Sequence, residues 1–376
     1  MQKTHKIIIN DIEYSFKQGQ TILEAAKQNN IEIPTLCYLK NTSPTGKCEI
    51  CLIEIKNQKN LVKACSYSAQ DQMKIYTESK RVIESRQSKI KKLLAIGNHN
   101  CAISTTYSNS WTAFQLRVHK DDNKEELCPV WGDCRLQDLA YKYQVTGDDT
   151  KRTKVKYPIE DVNPFIVRDF SRCILCNRCV KACNEIQVNN AIAFGYQGDD
   201  AKIITPNDKA LKDSDCVFCG ECVQVCPVGA LVEKDTRYKI RPWQTKKTRT
   251  TCTYCGVGCQ IYLHSKDDKV VKVSGADFAP NYESLCVKGR FGFDFIDSSK
   301  RLTTPLIRKN NELKESSWEE ALDYISNKLS SIIKEDSSDH IGILSSARVT
   351  NEENYIAQKF ARAVLKTNNV DHCARL

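Results

Sequence analysis

The chain has 376 residues, of which 27% are charged and 41% hydrophobic, with a formal net charge of +10. No apolar run nears the length of a membrane span. The basic residues gather in small clusters such as 89–92 and 246–249, without the stripe of interleaved aromatics that would favour nucleic acid. Twenty cysteines, in a chain whose first ten residues carry no export signal, predict a cytoplasmic protein whose thiols bind metal, because a reducing compartment keeps them from forming disulfides. The length suggests two to three domains, and the grouping of the cysteines argues for more and smaller ones, each stapled by a cofactor where the core is thin.

From the N-terminus, residues 5–17 read as a β-hairpin turning at Asn10 and Asp11. Thr21 caps a following helix, with Glu24 at the capping-box position, and Pro34 stops regular structure before Cys37. Cys37, Cys48, Cys51 and Cys65 follow with the spacing C-x10-C-x2-C-x13-C. Four thiolates with one close pair suit a [2Fe-2S] rhomb, in which each iron takes two protein ligands; structural zinc is the alternative. This stretch resembles the [2Fe-2S] domain at the N-terminus of the large iron-sulfur subunit of complex I and of related hydrogenases and formate dehydrogenases. The resemblance implies a β-grasp fold over 1–80.

Residues 82–96 form an amphipathic helix with Ile83, Ile90, Leu93 and Leu94 on one face and Arg and Lys on the other. Beyond it come His99, Cys101, Cys128 and Cys134. The same family places one His and three Cys around a [4Fe-4S] cluster here, over 81–142. Cys128 to Cys134 keeps the family's last step, whereas 26 residues separate Cys101 from Cys128. His99 and His119 compete for the fourth ligand, and the order of neighbours favours His99. Residues 143–164 are polar, with two prolines, and read as a linker.

Over 165–240 the run C-x2-C-x2-C-x3-C occurs twice, at Cys173, Cys176, Cys179 and Cys183 and at Cys216, Cys219, Cys222 and Cys226. This is the two-cluster ferredoxin signature, in which the fourth cysteine of each run reaches the other cluster. The crossed sets are Cys173, Cys176, Cys179 and Cys226 for one [4Fe-4S], and Cys183, Cys216, Cys219 and Cys222 for the other. Zinc would favour paired knuckles set well apart. Asn177 stands where the second run has Gly220, and Asn is a side chain that tolerates a left-handed turn.

Cys252, Cys255, Cys259 and Cys286, spaced C-x2-C-x3-C-x26-C, lie in 248–304. With Lys288-Gly289-Arg290 they resemble the opening domain of molybdopterin oxidoreductases. The resemblance implies a fourth [4Fe-4S] cluster beside a pterin, with Lys288 between the two as the residue nearest to a catalytic role. Only Cys373 is then left over, as a packed free thiol. Residues 305–376 read as the start of an α/β domain: a helical stripe from Trp318 to Ile333 expected in the core, a buried strand at 341–344, and a capping box at Thr350 and Glu353.

Residues 369–376 resemble the stretch that precedes the selenocysteine or cysteine metal ligand of formate dehydrogenases. That resemblance implies a ligand at the next position, encoded by a UGA codon read as a stop. The expectation is therefore an α+β multidomain protein, the N-terminal electron-conducting part of a formate dehydrogenase catalytic subunit. It implies one [2Fe-2S], four [4Fe-4S] and a Mo- or W-bis-pterin guanine dinucleotide. Electrons from formate would pass to diaphorase-type flavin/iron-sulfur subunits or to ferredoxin, with no nucleic acid and no membrane span. The alternatives are a complex I-type large iron-sulfur subunit without metal chemistry and a stand-alone iron-sulfur electron-transfer protein.

Overall fold

The computed structural model describes residues 4–96, 99, 128–145 and 157–372, so Cys101, His119 and Cys373 lie outside the described residues. The chain divides into two compact units, Met1–Lys246 and Lys247–Leu376.

The first unit opens with the expected hairpin of β1 (Thr4–Ile9) and β2 (Ile12–Lys17). Asn10 and Asp11 turn it with φ of 52° and 68°, a conformation these side chains tolerate. Helix α1 (Ile22–Gln28) carries the predicted capping box: Glu24 N donates to Thr21 Oγ1 at 3.2 Å, and Thr21 N donates to Glu24 Oε2 at 2.8 Å. With β3 (Leu52–Ile55), β4 (Val62–Lys63) and β5 (Met73–Tyr76), the strands form one mixed sheet in the order β2-β1-β5-β3-β4, and β1 runs parallel to β5. A parallel central pair joined through α1 is the β-grasp arrangement. Alternation aims Ile7, Ile9, Ile53 and Ile75 into one core with Phe16, Ile22 and Ala25. Each such isoleucine contributes about 1.5–3 kcal/mol by burial.

Helix α2 (Lys80–Ala95) buries Val82, Ile90, Leu93 and Leu94, and packs against α3 (Arg135–Lys142), which contributes Leu136 and Leu139 to the core. One expectation fails here. Arg86 does not lie on a solvent face with the other cations; it is fully buried, because its guanidinium satisfies carbonyls on β3 and the strand's approach. Arg86 Nε donates to Ile50 O at 3.0 Å and Nη2 to Leu52 O at 3.1 Å, while Nη1 donates to Tyr143 Oη at 2.7 Å and pairs with Glu78 at 2.9 Å.

Of the stretch read as a linker, residues 157–164 are held in place. Glu160 and Arg168 exchange backbone hydrogen bonds of 2.9 Å, and buried Asn163 accepts from Phe165 N and Ile166 N at 2.9 Å. Strand β6 (Ile166–Arg168) pairs antiparallel with β9 (Leu231–Glu233), Ile166 opposite Glu233, so the two ends of the double cysteine run are tied together. Between them lie α4 (Arg178–Lys181), which continues into a π turn at Ala182–Ile186, the hairpin β7 (Ala193–Gly195) and β8 (Lys202–Ile204), and α5 (Glu221–Gln224).

The second unit begins with a three-stranded sheet, β10 (Lys246–Thr251), β11 (Gln260–Lys266) and β12 (Lys269–Gly275), followed by α6 (Val287–Phe291). Gly275 allows the loop after β12 to fold back. A Cβ at this position would stand 1.8 Å from Glu283 O. Gly275→Ala is therefore expected to cost about 1–3 kcal/mol and to displace the loop that leads to Cys286. A thermal melt unchanged from wild type would contradict this.

A hairpin of β13 (Leu306–Lys309) and β14 (Glu312–Glu315) leads to α7 (Trp318–Glu335). Then β15 (Ile343–Ser345), α8 (Asn351–Lys359) and β16 (Val370–His372) form a βαβ unit with parallel strands. The capping box of α8 is present, with Thr350 N donating to Glu353 Oε2 at 2.7 Å. Two expectations need correction. The α7 stripe is exposed, with Trp318 70% and Leu322 57% accessible, and the strand lies at 343–345 with Leu344 84% accessible. Periodicity marks an apolar face but not what covers it: of this stripe Ala321 is buried and Leu329, Ile332 and Ile333 are half-buried, while the rest is open.

Candidate metal centres

The β3–β4 hairpin builds the first thiol group. Its register sets Leu52 opposite Lys63, which places Cys51 and Cys65 side by side, and Ala64 N donates to Cys51 O at 3.0 Å. Cys37 and Cys48 come from the preceding loop. Cys37, Cys48, Cys51 and Cys65 are all buried, and the thiols pair by hydrogen bonds. The Cys48 thiol donates to Cys37 and holds it down at about 6; the Cys51 thiol donates to Cys65 and holds it down at about 7. The two donors are correspondingly pushed up. Two acidic thiols, each hydrogen-bonded to a protonated one, form a set ready to release protons to a metal.

The second group is described in part. Cys128 and Cys134 are buried, with Cys134 as the N-cap of α3. His99 is also buried, at 3% exposure. Pro227 O accepts from Arg135 N at 3.0 Å, so the turn after Cys226 supports the start of the helix that Cys134 caps.

The double run repeats its geometry as well as its spacing. Leu175 and Phe218 have φ of 54° and 52°, and their N–H groups donate to Cys173 Sγ and Cys216 Sγ at 3.4 Å. Asn177 and Gly220 are both left-handed, at φ 68° and 71°, and start α4 and α5. Each loop thereby curls its first three thiols around one centre. Cys226 lies with Cys173, Cys176 and Cys179, whose thiols it perturbs. Cys183 lies with Cys216 and Cys222. Burial pushes Cys173 and Cys176 up to about 12 and raises Cys179 and Cys222 well above the ordinary thiol value. An apolar cavity is lined by Cys173, Cys176, Cys179 and Cys226 together with Cys222 of the second run, with Ile174 and Leu231 among its walls.

In the second unit Cys252 N donates to Cys259 O at 2.7 Å, closing the loop that carries Cys255. Gly289 N donates to Cys286 Sγ at 3.5 Å, and a Cβ on Gly289 would touch Cys252 Sγ and Cys286 Sγ at 3.6 and 3.9 Å. Burial raises Cys252 and Cys259. Lys288 projects from α6, two residues after Cys286, and is exposed.

These groups fit clusters. Distinct loops gather the thiols of each, and the double run surrounds a cavity that a cluster body would occupy. Among the described residues no three His, Cys, Asp or Glu side chains converge on the point a single ion would take. One apolar core contains Cys37, Cys48, Cys128, Cys134 and Cys176, with Cys173 and Cys226 packed against it, so three groups share a continuous interior. Spacing gave no sign of the buried cations in the first unit, which among the described residues are Arg86, Arg168, Arg172, Arg178, Lys181 and Arg241. The positions of Arg172 and Arg178, directly before Cys173 and Cys179, could have drawn notice. No helix among the described residues is long and apolar enough to cross a membrane.

Thiol-lined loops on small sheets define an iron-sulfur protein, and the family matches agree. Residues 2–80 match the 2Fe-2S iron-sulfur cluster binding domain, 163–232 the ferredoxin-like domain of NADH-quinone oxidoreductase subunit 3, 245–298 the molybdopterin oxidoreductase Fe4S4 domain, and 301–376 the molybdopterin oxidoreductase family. The chain is 31% identical over 414 aligned residues to a Staphylococcus haemolyticus protein named "Putative formate dehydrogenase", covering all of this chain and 39% of that one. It is 36% identical to a subunit of the NADH-quinone oxidoreductase of Rhizobium meliloti, covering 98% of this chain and 40% of that one. A crystal structure of an NAD+-reducing [NiFe]-hydrogenase in the H2-reduced state aligns with a TM-score of 0.53 and 25% identity, covering 63% of this chain and 90% of that one. The chain thus spans about two fifths of the length of these curated relatives. Its segments therefore match iron-sulfur and molybdopterin oxidoreductase domains in succession, and the chain is similar to proteins named for formate dehydrogenase and for NADH-quinone oxidoreductase.

Proposed function

We propose that the complete gene product oxidises formate to CO2 and that this chain conducts the two electrons away. The reaction balances as formate giving CO2, one proton and two electrons. The observation that carries the reading is the group Cys252, Cys255, Cys259 and Cys286, with exposed Lys288 two residues beyond, joined to a match to the molybdopterin oxidoreductase family. Bound clusters supply one-electron acceptor and donor chemistry.

The chain's residues do the rest. Cys37, Cys48, Cys51 and Cys65 hold a [2Fe-2S]. His99, Cys101, Cys128 and Cys134 hold a [4Fe-4S]. The sets Cys173, Cys176, Cys179, Cys226 and Cys183, Cys216, Cys219, Cys222 hold two more, and Cys252, Cys255, Cys259, Cys286 the last. Lys288 would offer its ammonium to a cluster held by Cys252, Cys255, Cys259 and Cys286 and to a bound Mo- or W-bis-pterin, balancing their negative charge. The apolar interior shared by Cys48, Cys128 and Cys176 keeps water from the path. Diaphorase-type flavin/iron-sulfur subunits or ferredoxin would be the acceptors.

Anaerobic addition of formate to the metal-loaded complete gene product is expected to bleach the cluster absorbance and produce EPR signals of reduced clusters. Fully oxidised clusters after formate, in protein that dithionite reduces, would overturn the reading. They would favour a second one, an electron-transferring subunit of the complex I type, which the 36% identity to an NADH-quinone oxidoreductase subunit supports.

A further inference from the structure

Two buried arginines converge on Cys128. The three residues are 3% (Arg172), 6% (Arg241) and 5% (Cys128) exposed. Arg172 Nη1 donates to Cys128 Sγ at 3.5 Å, and Arg241 Nη1 donates to Cys128 O at 2.6 Å. Arg172 is aimed by Asp169, whose Oδ2 lies 3.3 Å from Arg172 Nε and 3.6 Å from Arg237 Nη2. Asp169 is itself fixed, accepting from Ser171 N at 3.1 Å and donating its own N–H to Ala230 O at 2.8 Å. One carboxylate thus faces two guanidiniums, and with Arg241 the surroundings of Cys128 carry an excess of positive charge.

The inference rests on the reading that Cys128 ligates a cluster. The geometry points to Arg172 and Arg241 as the residues that set the reduction potential of that cluster, holding it higher than the thiolate ligands alone would. Reduction adds an electron to a cluster whose charge is spread over its sulfurs. A guanidinium hydrogen-bonded to a ligand sulfur, or fixed next to it away from water, stabilises the reduced state more than the oxidised one. Arginine is charged at every working pH, so the effect is permanent. Arg172 also precedes Cys173 in the chain. Its guanidinium addresses one ligand group while its backbone leads into the next, and this fixes the spacing between the two.

The test is a potentiometric titration of the purified chain with reconstituted clusters, followed by EPR, for wild type, Arg172→Gln, Arg172→Lys and Arg241→Gln. Each Gln variant is expected to shift one cluster's reduction equilibrium about tenfold towards the oxidised form, about 59 mV lower for one electron. The other clusters should keep their potentials and the iron content should stay at the wild-type level. Arg172→Lys keeps a charge without the planar fork and should shift less. Cys128→Ala must abolish the same signal that the Arg variants shift. Unchanged potentials in fully loaded Arg172→Gln or Arg241→Gln would overturn the inference alone. A Cys128→Ala variant that keeps every cluster would overturn the ligand reading beneath it. Should Arg172→Gln fail to fold, Arg172→Lys and Arg241→Gln still decide the matter.

Discussion

Replacing Cys226 by alanine is expected to remove one [4Fe-4S] cluster, about four irons per chain, and to leave the second ferredoxin-type cluster in place. The reason is positional. Cys226 is brought back beside Cys173, Cys176 and Cys179 by the pairing of β6 with β9, and all four line one apolar cavity, which Cys222 also borders. Double variants make the crossed arrangement decisive. Adding Cys173→Ala to Cys226→Ala should lose no further iron, since both residues serve one cluster. Adding Cys216→Ala should lose a second cluster. Iron analysis and EPR of the two doubles give opposite patterns if each run instead holds its own cluster, and that pattern would sink the crossed assignment.

Arg86→Ala is expected to destabilise the first unit by about 3 kcal/mol. The substitution removes the donors to Ile50 O, Leu52 O and Tyr143 Oη, all from a side chain with no solvent exposure. Ile50 and Leu52 flank Cys51, so the loss falls on the segment that presents a proposed [2Fe-2S] ligand. The visible circular dichroism of that cluster, followed through denaturant unfolding, should show a lower midpoint in Arg86→Ala. Arg86→Lys should recover part of the loss, having one point charge in place of a fork. An Arg86→Ala midpoint equal to wild type would show that the carbonyls find other partners.

Much of the thiol architecture could be read from spacing, because a cluster dictates how far apart its ligands stand along the chain. The runs at Cys173 and Cys216 curl as expected, and the Asn177–Gly220 equivalence predicts two left-handed residues that are indeed left-handed. The hairpin at Asn10 and Asp11 and both capping boxes were local signals with local causes. Arg86 was misread because periodicity assigns a face by residue type, whereas a cation can be buried where backbone carbonyls lack partners. The α7 stripe was misread for the complementary reason, since apolar spacing says nothing of the covering partner. Arg172 and Arg241 were invisible because they reach Cys128 across 44 and 113 positions of sequence.

The pairing of β6 with β9 also has a consequence for biogenesis. As the chain leaves the ribosome, Cys173, Cys176 and Cys179 emerge long before the strand at Leu231–Glu233 that brings Cys226 to them. Through that interval the strand that brings the fourth thiol is missing, so the group cannot be completed. The later run gains its own left-handed loop at Gly220, and its proposed partner Cys183 is by then already synthesised. The order of synthesis therefore places the closing of this thiol group after the second of two short strands, and the delay is set by the distance between them along the chain.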